Sequence, residues 1–306
     1  MYIIKIRIFT IYKYIIKLLK ILKNDSFNIL NPNEILKESW IRNNKDAVRM
    51  IWWRWESNKN FWDVLWPYIV EKITWKKIQY SNWICNQERY MTIGSILIYS
   101  NQNTIIWGSG LLKKWTQIKK PLKICSVRWP QTRKELLKQW IECPESYWDP
   151  WLLISKYYKP KSKKEYKLWI IPHYIDYCTI KEKLTDEEII IINLLDPIEK
   201  VLEDINSCER TISSSLHGII VSHSYSIPCM FVKFSEKLWS DNIKFEDYFM
   251  SVGLEFYYPY DYSEKIPSKE YIIKKIDSDH SKKPIINYNE ILDCCPFLKY
   301  ASKDKE

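Results

Sequence analysis

The chain has 306 residues, 46% of them hydrophobic and 27% charged, with 47 Lys and Arg against 37 Asp and Glu for a net charge of +10. That length allows one large domain or two of about 120–150 residues with a sizeable core, and the charge density excludes a membrane-embedded protein. The positive balance suits an anionic substrate or a membrane surface; the lysines are scattered rather than gathered on one motif, which argues against nucleic acid.

The first element is a basic leader, residues 1–45. In "MYIIKIRIFTIYKYIIKLLKILK" Lys13, Lys17, Lys20 and Lys23 recur at helical spacing, with Ile15, Ile16, Leu18, Leu19, Ile21 and Leu22 around the rest of the helix. No uninterrupted apolar run approaches the ~18–20 residues of a spanning helix, nor the apolar core of a secretory signal. An amphipathic helix is expected, either lying on an anionic membrane surface through residues 1–23 or packed on the domain.

From about residue 48 short apolar runs alternate with helical patterns. Strands are predicted at 48–53, 95–100, 104–107, 123–127, 167–171, 188–195, 210–215 and 229–234. Helices are predicted at 64–73, 131–139, 197–206 and from Leu216 to about Tyr225; in the third, Ile198, Val201, Leu202 and Ile205 fall on one face behind Pro197. This alternation specifies an α/β fold with parallel sheets covered by helices. The lysine-rich stretch "SKYYKPKSKKEYK", 155–167, has no apolar period and reads as a hinge. It divides the chain into two Rossmann-like domains, 46–160 and 161–306, with a cleft between them and a C-terminal helix packed back on the second. The eight cysteines include no CxxC pair and no ligand spacing with the four histidines, so neither a metal site nor a disulfide framework is expected.

Glycine is scarce where turns require it. Average usage of about 7% would give roughly 21 glycines; the chain has 5, and 16 tryptophans. "NFWDVLWPYIV", 60–70, reads as a tight turn with Trp62 at the bend and Asp63 as helix cap, a place for glycine. Trp140 stands where the helix 131–139 should stop, the usual site of a C-terminal glycine. Trp129 lies between Arg128 and a helix-starting proline, and Trp148 and Trp151 flank the turn at Asp149-Pro150.

The strongest local signal is "RTISSSLHGIIVSHSYSIP", 210–228. A strand runs out at Ser213–Ser215 and a helix begins at Leu216-His217-Gly218, which is where open α/β sheets bind ligands. Amides of the new helix, the hydroxyls of Ser213, Ser214 and Ser215 and the His217 imidazole would make an anion site. The alternative is that the serines cap the helix and His217 is a core residue.

"SSSLHG" and "HSYSIP", with "NFWDVLWPYI", "IIWGSG", "VRWPQT", "YWDPWLL" and "KLWIIPHYIDY", together resemble the polysaccharide pyruvyl transferase family from about residue 48 to about 252. The resemblance implies transfer of a carboxyvinyl unit from phosphoenolpyruvate onto two hydroxyls of a sugar, leaving a cyclic pyruvate ketal and phosphate. It also implies a GT-B-like pair of domains with the donor in the cleft, no cofactor or metal, and a polysaccharide or lipid-linked precursor as acceptor. The expected location is cytoplasmic, with the leader near the inner face of the membrane.

Protonating the enol needs a general acid, the role that falls to His217. The donor's phosphate and carboxylate need cations, first Arg128, with Arg133 and Arg210 behind it or else holding surface ion pairs; Ser213, Ser214, Ser215 and Gly218 complete the donor side. Asn60 and Asp63 resemble an acceptor- or donor-side loop or form a plain helix cap. Asp149 either binds sugar hydroxyls or makes an Asx-turn, and His173 faces the cleft. His223 is assigned to packing and His280 to no role.

Many family members carry arginine directly before the Leu-His pair, where this chain has Ser215. Either Arg210 or another base substitutes, or donor binding differs. The family pattern also has glycine where this chain has Trp62, Trp129, Trp148 and Trp169, while Trp107 matches a tryptophan the family often has. Some bacterial lineages read UGA as glycine, so most of these tryptophans are read here as UGA codons translated with another table; the alternative is a diverged, tryptophan-rich protein. The rival functions are a nucleotide-sugar glycosyltransferase of similar architecture and an inactive membrane-associated relative.

Overall fold

The computed structural model describes residues 47–52, 61–81, 87–111, 113–184, 189–236 and 243–298. The leader and Asn60 lie outside these residues, as do the side chains of Trp62 and Asp63. Lys45–Glu306 form one compact unit.

The first half of this unit builds a parallel sheet. Its elements are β1 (Val48–Met50), helix α1 (Phe61–Thr74), β2 (Ile78–Tyr80), β3 (Arg89–Met91), β4 (Thr104–Trp107), β5 (Lys123–Ser126) and α2 (Pro130–Leu137). The strand order is β2-β1-β3-β4-β5, every pair parallel. All four residues of β4, "TIIW", are buried, as expected of a central parallel strand covered on both faces.

Two sequence expectations change here. The run 95–100 is not a strand: Leu97–Tyr99 form a 3₁₀ turn closed by Tyr99 N to Ile96 O (3.0 Å) and Ser100 N to Leu97 O (2.9 Å). Ile96 and Leu97 are buried while Ile98 is exposed, and a short apolar run alone does not distinguish a turn from a strand. Helix α1 begins at Phe61, whose N–H donates to Leu194 O at 2.9 Å. Residues 62 and 63 are therefore in its first turn, not at a bend and a cap.

The chain continues through a 3₁₀ turn, Pro150–Leu153, into α3 (Ile154–Tyr157) and then a second parallel sheet. This comprises β6 (Trp169–Ile171), α4 (Tyr177–Lys183), β7 (Ile190–Ile191), α5 (Ile198–Asn206), β8 (Thr211–Ser213), α6 (Leu216–Ser224), β9 (Cys229–Lys233), α7 (Ile243–Ser251) and β10 (Tyr260–Asp261). The order is β10-β9-β8-β6-β7, again all parallel. Helices α8 (Lys269–Asp279) and α9 (Tyr288–Asp293) follow. Helix α5 buries Val201, Leu202 and Ile205, the stripe its spacing predicts; each such side chain contributes roughly 1.5–3 kcal/mol. Among the described residues, the larger of two apolar clusters spans both sheets, joining Val48, Met91 and Ile106 of the first to Ile171 of β6 and Ile219 and Ile220 of α6, with Phe297. The second covers the other face of the second sheet, with Ile170, Ile212 and Met230 against Ile272 and Ile276 of α8. No helix among the described residues is long and apolar enough to cross a membrane.

Three helices end alike. After α7, Gly253 is left-handed (φ 69°), with Leu254 N donating to Phe249 O and Gly253 N to Met250 O. This is a Schellman motif, and glycine is its usual central residue. Helix α6 ends in the same pair of bonds around Ser226 (φ 59°). Helix α2 ends in it around Trp140 (φ 58°), with Ile141 N to Leu136 O and Trp140 N to Leu137 O. Trp75 (φ 56°) closes α1 through one bond to Glu71 O, and Trp115 (φ 63°) is left-handed in a loop. Of the four described non-glycine residues with positive φ, three are thus tryptophans. They are also 81%, 75% and 93% exposed at 75, 115 and 140, so burial does not offset the conformational cost.

Candidate functional site

The carboxyl ends of the two sheets meet. Strand β5 leads through Val127 to Arg128, whose backbone N–H is fixed on Ser109 O at 3.2 Å. Arg128 is buried, donates from Nη2 to Ser95 Oγ at 2.6 Å, and lies 4.6 Å over the Trp129 ring. A Cβ on Gly110 would meet its Nε at 3.0 Å, so glycine there leaves room for the guanidinium. Burial lowers the Arg128 pKa to about 10 while Asp149 and Asp247 oppose the shift, so it stays cationic at neutral pH.

Asp149 enters from the loop before the 3₁₀ turn. It makes the Asx-type cap, Oδ1 accepting from Trp151 N at 3.1 Å, and is fully buried with no hydrogen-bond partner on Oδ2. Burial raises its pKa to about 7 against the pull of Arg128 and the Trp151 amide. Gly108 (φ 86°) makes room for this loop, because a Cβ there would meet Pro150 at 2.2 Å.

The turn Pro150–Leu153 packs on α6 and brings the Trp151 ring to 6.3 Å from the ring of His217. His217 stands in the first turn of α6, partly exposed. Its pKa is held well below the usual imidazole value, first by burial of the ring, then by Arg128, Lys244 and His173. His173 follows β6; its N–H donates to Ser214 Oγ at 2.9 Å, and burial with Lys244 beside it lowers its pKa to about 4. Ser213 Oγ donates to Ile171 O at 2.8 Å and accepts from Ser215 N at 3.0 Å, locking the end of β8 to β6. Gly218 permits this, since a Cβ on it would meet Ser213 Oγ at 2.4 Å. Ser215 is the N-cap of α6, without a side-chain capping bond.

The structure thus brings together Arg128, Asp149, His173, His217 and the Ser213–Gly218 turn. Two arginines stand apart from them. Arg133 holds the segment after α2, donating to Cys143 O at 2.9 Å and pairing with Glu145 at 3.1 Å. Arg210 precedes β8, at the strand end opposite His217. It is forked onto Asp277 at 2.6 and 3.1 Å and pairs with Glu209 at 2.7 Å. Arg210→Met is accordingly expected to cost at most about 1 kcal/mol of stability, as for exposed ion pairs, and to leave donor binding unchanged in a calorimetric titration. Asn60 lies outside the described residues, as does the side chain of Asp63.

Sequence reading missed the contribution of α7. Asp247 is 2% exposed and its charge acts on Arg128, while Lys244 acts on both histidines. Tyr248 of the same helix sits 6.1 Å from the Trp129 ring and binds His223 Nδ1 at 3.0 Å, which fixes His223 in the packing role. Among the described residues no group of three or more His, Cys, Asp or Glu is placed to hold a metal ion.

Comparison with known proteins adds a family and a relative. The family model described as polysaccharide pyruvyl transferase matches residues 18–235, more than half of the chain. A curated relative, "Uncharacterized protein L143" of Acanthamoeba polyphaga mimivirus, is 35% identical over 175 residues, 54% of this chain. The matched region spans 61% of the length of that relative. No solved structure matches.

Proposed function

Because this chain belongs to the polysaccharide pyruvyl transferase family, we propose that it moves a pyruvyl unit from phosphoenolpyruvate onto a sugar of a cell-surface polysaccharide or its lipid-linked precursor. The observation that carries this is the convergence of one buried arginine with His217, His173 and Asp149 at the carboxyl ends of two parallel sheets. We read these sheets as the two Rossmann-like halves of a GT-B-like fold.

Arg128 binds the donor's carboxylate through its planar fork. His217 protonates the methylene carbon of the enol, which becomes a methyl group, and the positive charge develops on the carbon bearing phosphate. One sugar hydroxyl adds there, the C–O bond to phosphate breaks, and the second hydroxyl closes the ketal. Of the two hydroxyl protons lost, one replaces that spent on the methyl and one leaves with phosphate. His217 is neutral before donor binds, and the anionic donor beside it draws the proton onto the ring. Asp149 is placed to accept a sugar hydroxyl, and the leader through residues 1–23 would keep the protein at the inner membrane face.

In this reading the native protein has glycine at most tryptophan positions. Three left-handed tryptophans support it, as do two in the site. The buried indole of Trp129 lies under Arg128 with an N–H that has no partner, and that of Trp151 lies against His217. Buried indoles ordinarily find a partner. Glycine at Trp129 and Trp151 would open the space that a donor needs between the arginine and the imidazole. The test is phosphate release from phosphoenolpyruvate, with acceptor glycan, by the chain carrying glycine at 129, 148, 151 and 169. Release of a nucleotide from a sugar nucleotide instead would favour a glycosyltransferase.

A further inference from the structure

The donor has two anionic ends, and among the arginines singled out in the sequence only Arg128 reaches the site. Arg210 is held by Asp277 and Glu209 at the wrong end of β8, and Arg133 by Glu145. Ser215 stands where family members carry arginine. A second cation has to come from elsewhere.

We propose that Lys244, in the first turn of α7, binds the phosphate of the donor in place of that arginine. The inference rests on the reading of the site as a phosphoenolpyruvate site. Lys244, Asp247 and Tyr248 are spaced i, i+3, i+4 and share one face of α7. One contact aims that face at the site: the Tyr248 ring is 6.1 Å from Trp129, and the buried Asp247 acts on Arg128 through its charge. The next residue, Phe245, stacks on Phe231 of β9 at 3.9 Å and anchors the helix to the second sheet. Lys244 Nζ lies 5.2 Å over that Phe245 ring. Its charge also reaches both His173 and His217.

The division of labour follows from shape. A guanidinium matches a planar carboxylate with two parallel bonds, whereas an ammonium acts as a point charge suited to a phosphate. Asp247 on the same face favours the charged form of Arg128, so one helix would serve both ends of the donor.

The experiment is calorimetric titration of the full glycine-bearing chain, and of its Lys244→Met, Lys244→Arg and Arg210→Met variants, with phosphoenolpyruvate, inorganic phosphate and pyruvate. Lys244→Met should weaken phosphoenolpyruvate and phosphate roughly 10- to 100-fold, the range for a hydrogen bond to a charged group. It should leave pyruvate binding unchanged. Lys244→Arg should restore most of the loss, and Arg210→Met should match the parent. Unfolding midpoints of all variants within a few degrees of the parent confirm intact folds. Parent-like phosphate binding by Lys244→Met would overturn the role of Lys244 alone. A parent that binds no phosphoenolpyruvate would overturn the donor assignment and this inference with it.

Discussion

Replacing Trp75, Trp115 and Trp140 together by glycine is expected to raise the unfolding midpoint by roughly 5–10 °C. An L-residue in the left-handed region costs about 1–2 kcal/mol, and glycine returns about 0.5–1 of that through its freer unfolded chain. The net gain is centred on roughly 0.75 kcal/mol per site, a little over 2 kcal/mol for the three. In a chain of this size each 1 kcal/mol moves the midpoint by about 2–4 °C. Little burial is lost, since these indoles are 75–93% exposed. The ammonium of Lys138, 4.5 Å over Trp115, contributes only about 0.5 kcal/mol at an exposed site. Trp107 is the control: it is buried in β4 against Phe297 and matches a family tryptophan, so Trp107→Gly should cost about 3–5 kcal/mol. A lower midpoint for the triple glycine chain would mean that these turns are built around indoles. Peptide mass spectrometry of the native protein at the same positions reads the outcome directly, as glycine or tryptophan.

The second large effect concerns His217. His217→Asn in the glycine-bearing chain is expected to lower kcat by roughly 10²- to 10⁴-fold, the range for loss of a general acid, with donor affinity changed far less. The parent should lose activity as pH rises. The reacting form carries the proton, while burial, Arg128, Lys244 and His173 all favour the neutral ring. A variant that keeps its rate would move the acid elsewhere, with Asp149 the group whose pKa, about 7, suits it next best.

What the sequence made legible follows from where each residue sits. His217, His173 and Arg128 stand just beyond the ends of apolar strands, and period and punctuation place such positions without knowledge of the rest of the fold. Trp140 was legible for the same reason, since the helix pattern ends there. Trp62 was misread because helix α1 starts at Phe61, held by a bond to Leu194 that no local pattern announces. Residue type alone left Arg210 and Arg133 open as donor cations or surface ion pairs, and both stand in ion pairs. The partner that removes Arg210, Asp277, is 67 residues away in sequence. Lys244 and Asp247 were missed because α7 follows the last clear strand in a stretch with no motif. Only the packing of Tyr248 on Trp129 shows which face of that helix matters.

The measurement that tests the central claim most directly is a paired assay on the native protein. Phosphate released from phosphoenolpyruvate is counted against pyruvate ketal formed on a surface glycan or its lipid-linked precursor. Phosphate and ketal should appear one for one and vanish together in His217→Asn. Absence of both, with a sugar transferred from a nucleotide donor to the same acceptor, would contradict pyruvyl transfer and make this a glycosyltransferase built on the same two sheets.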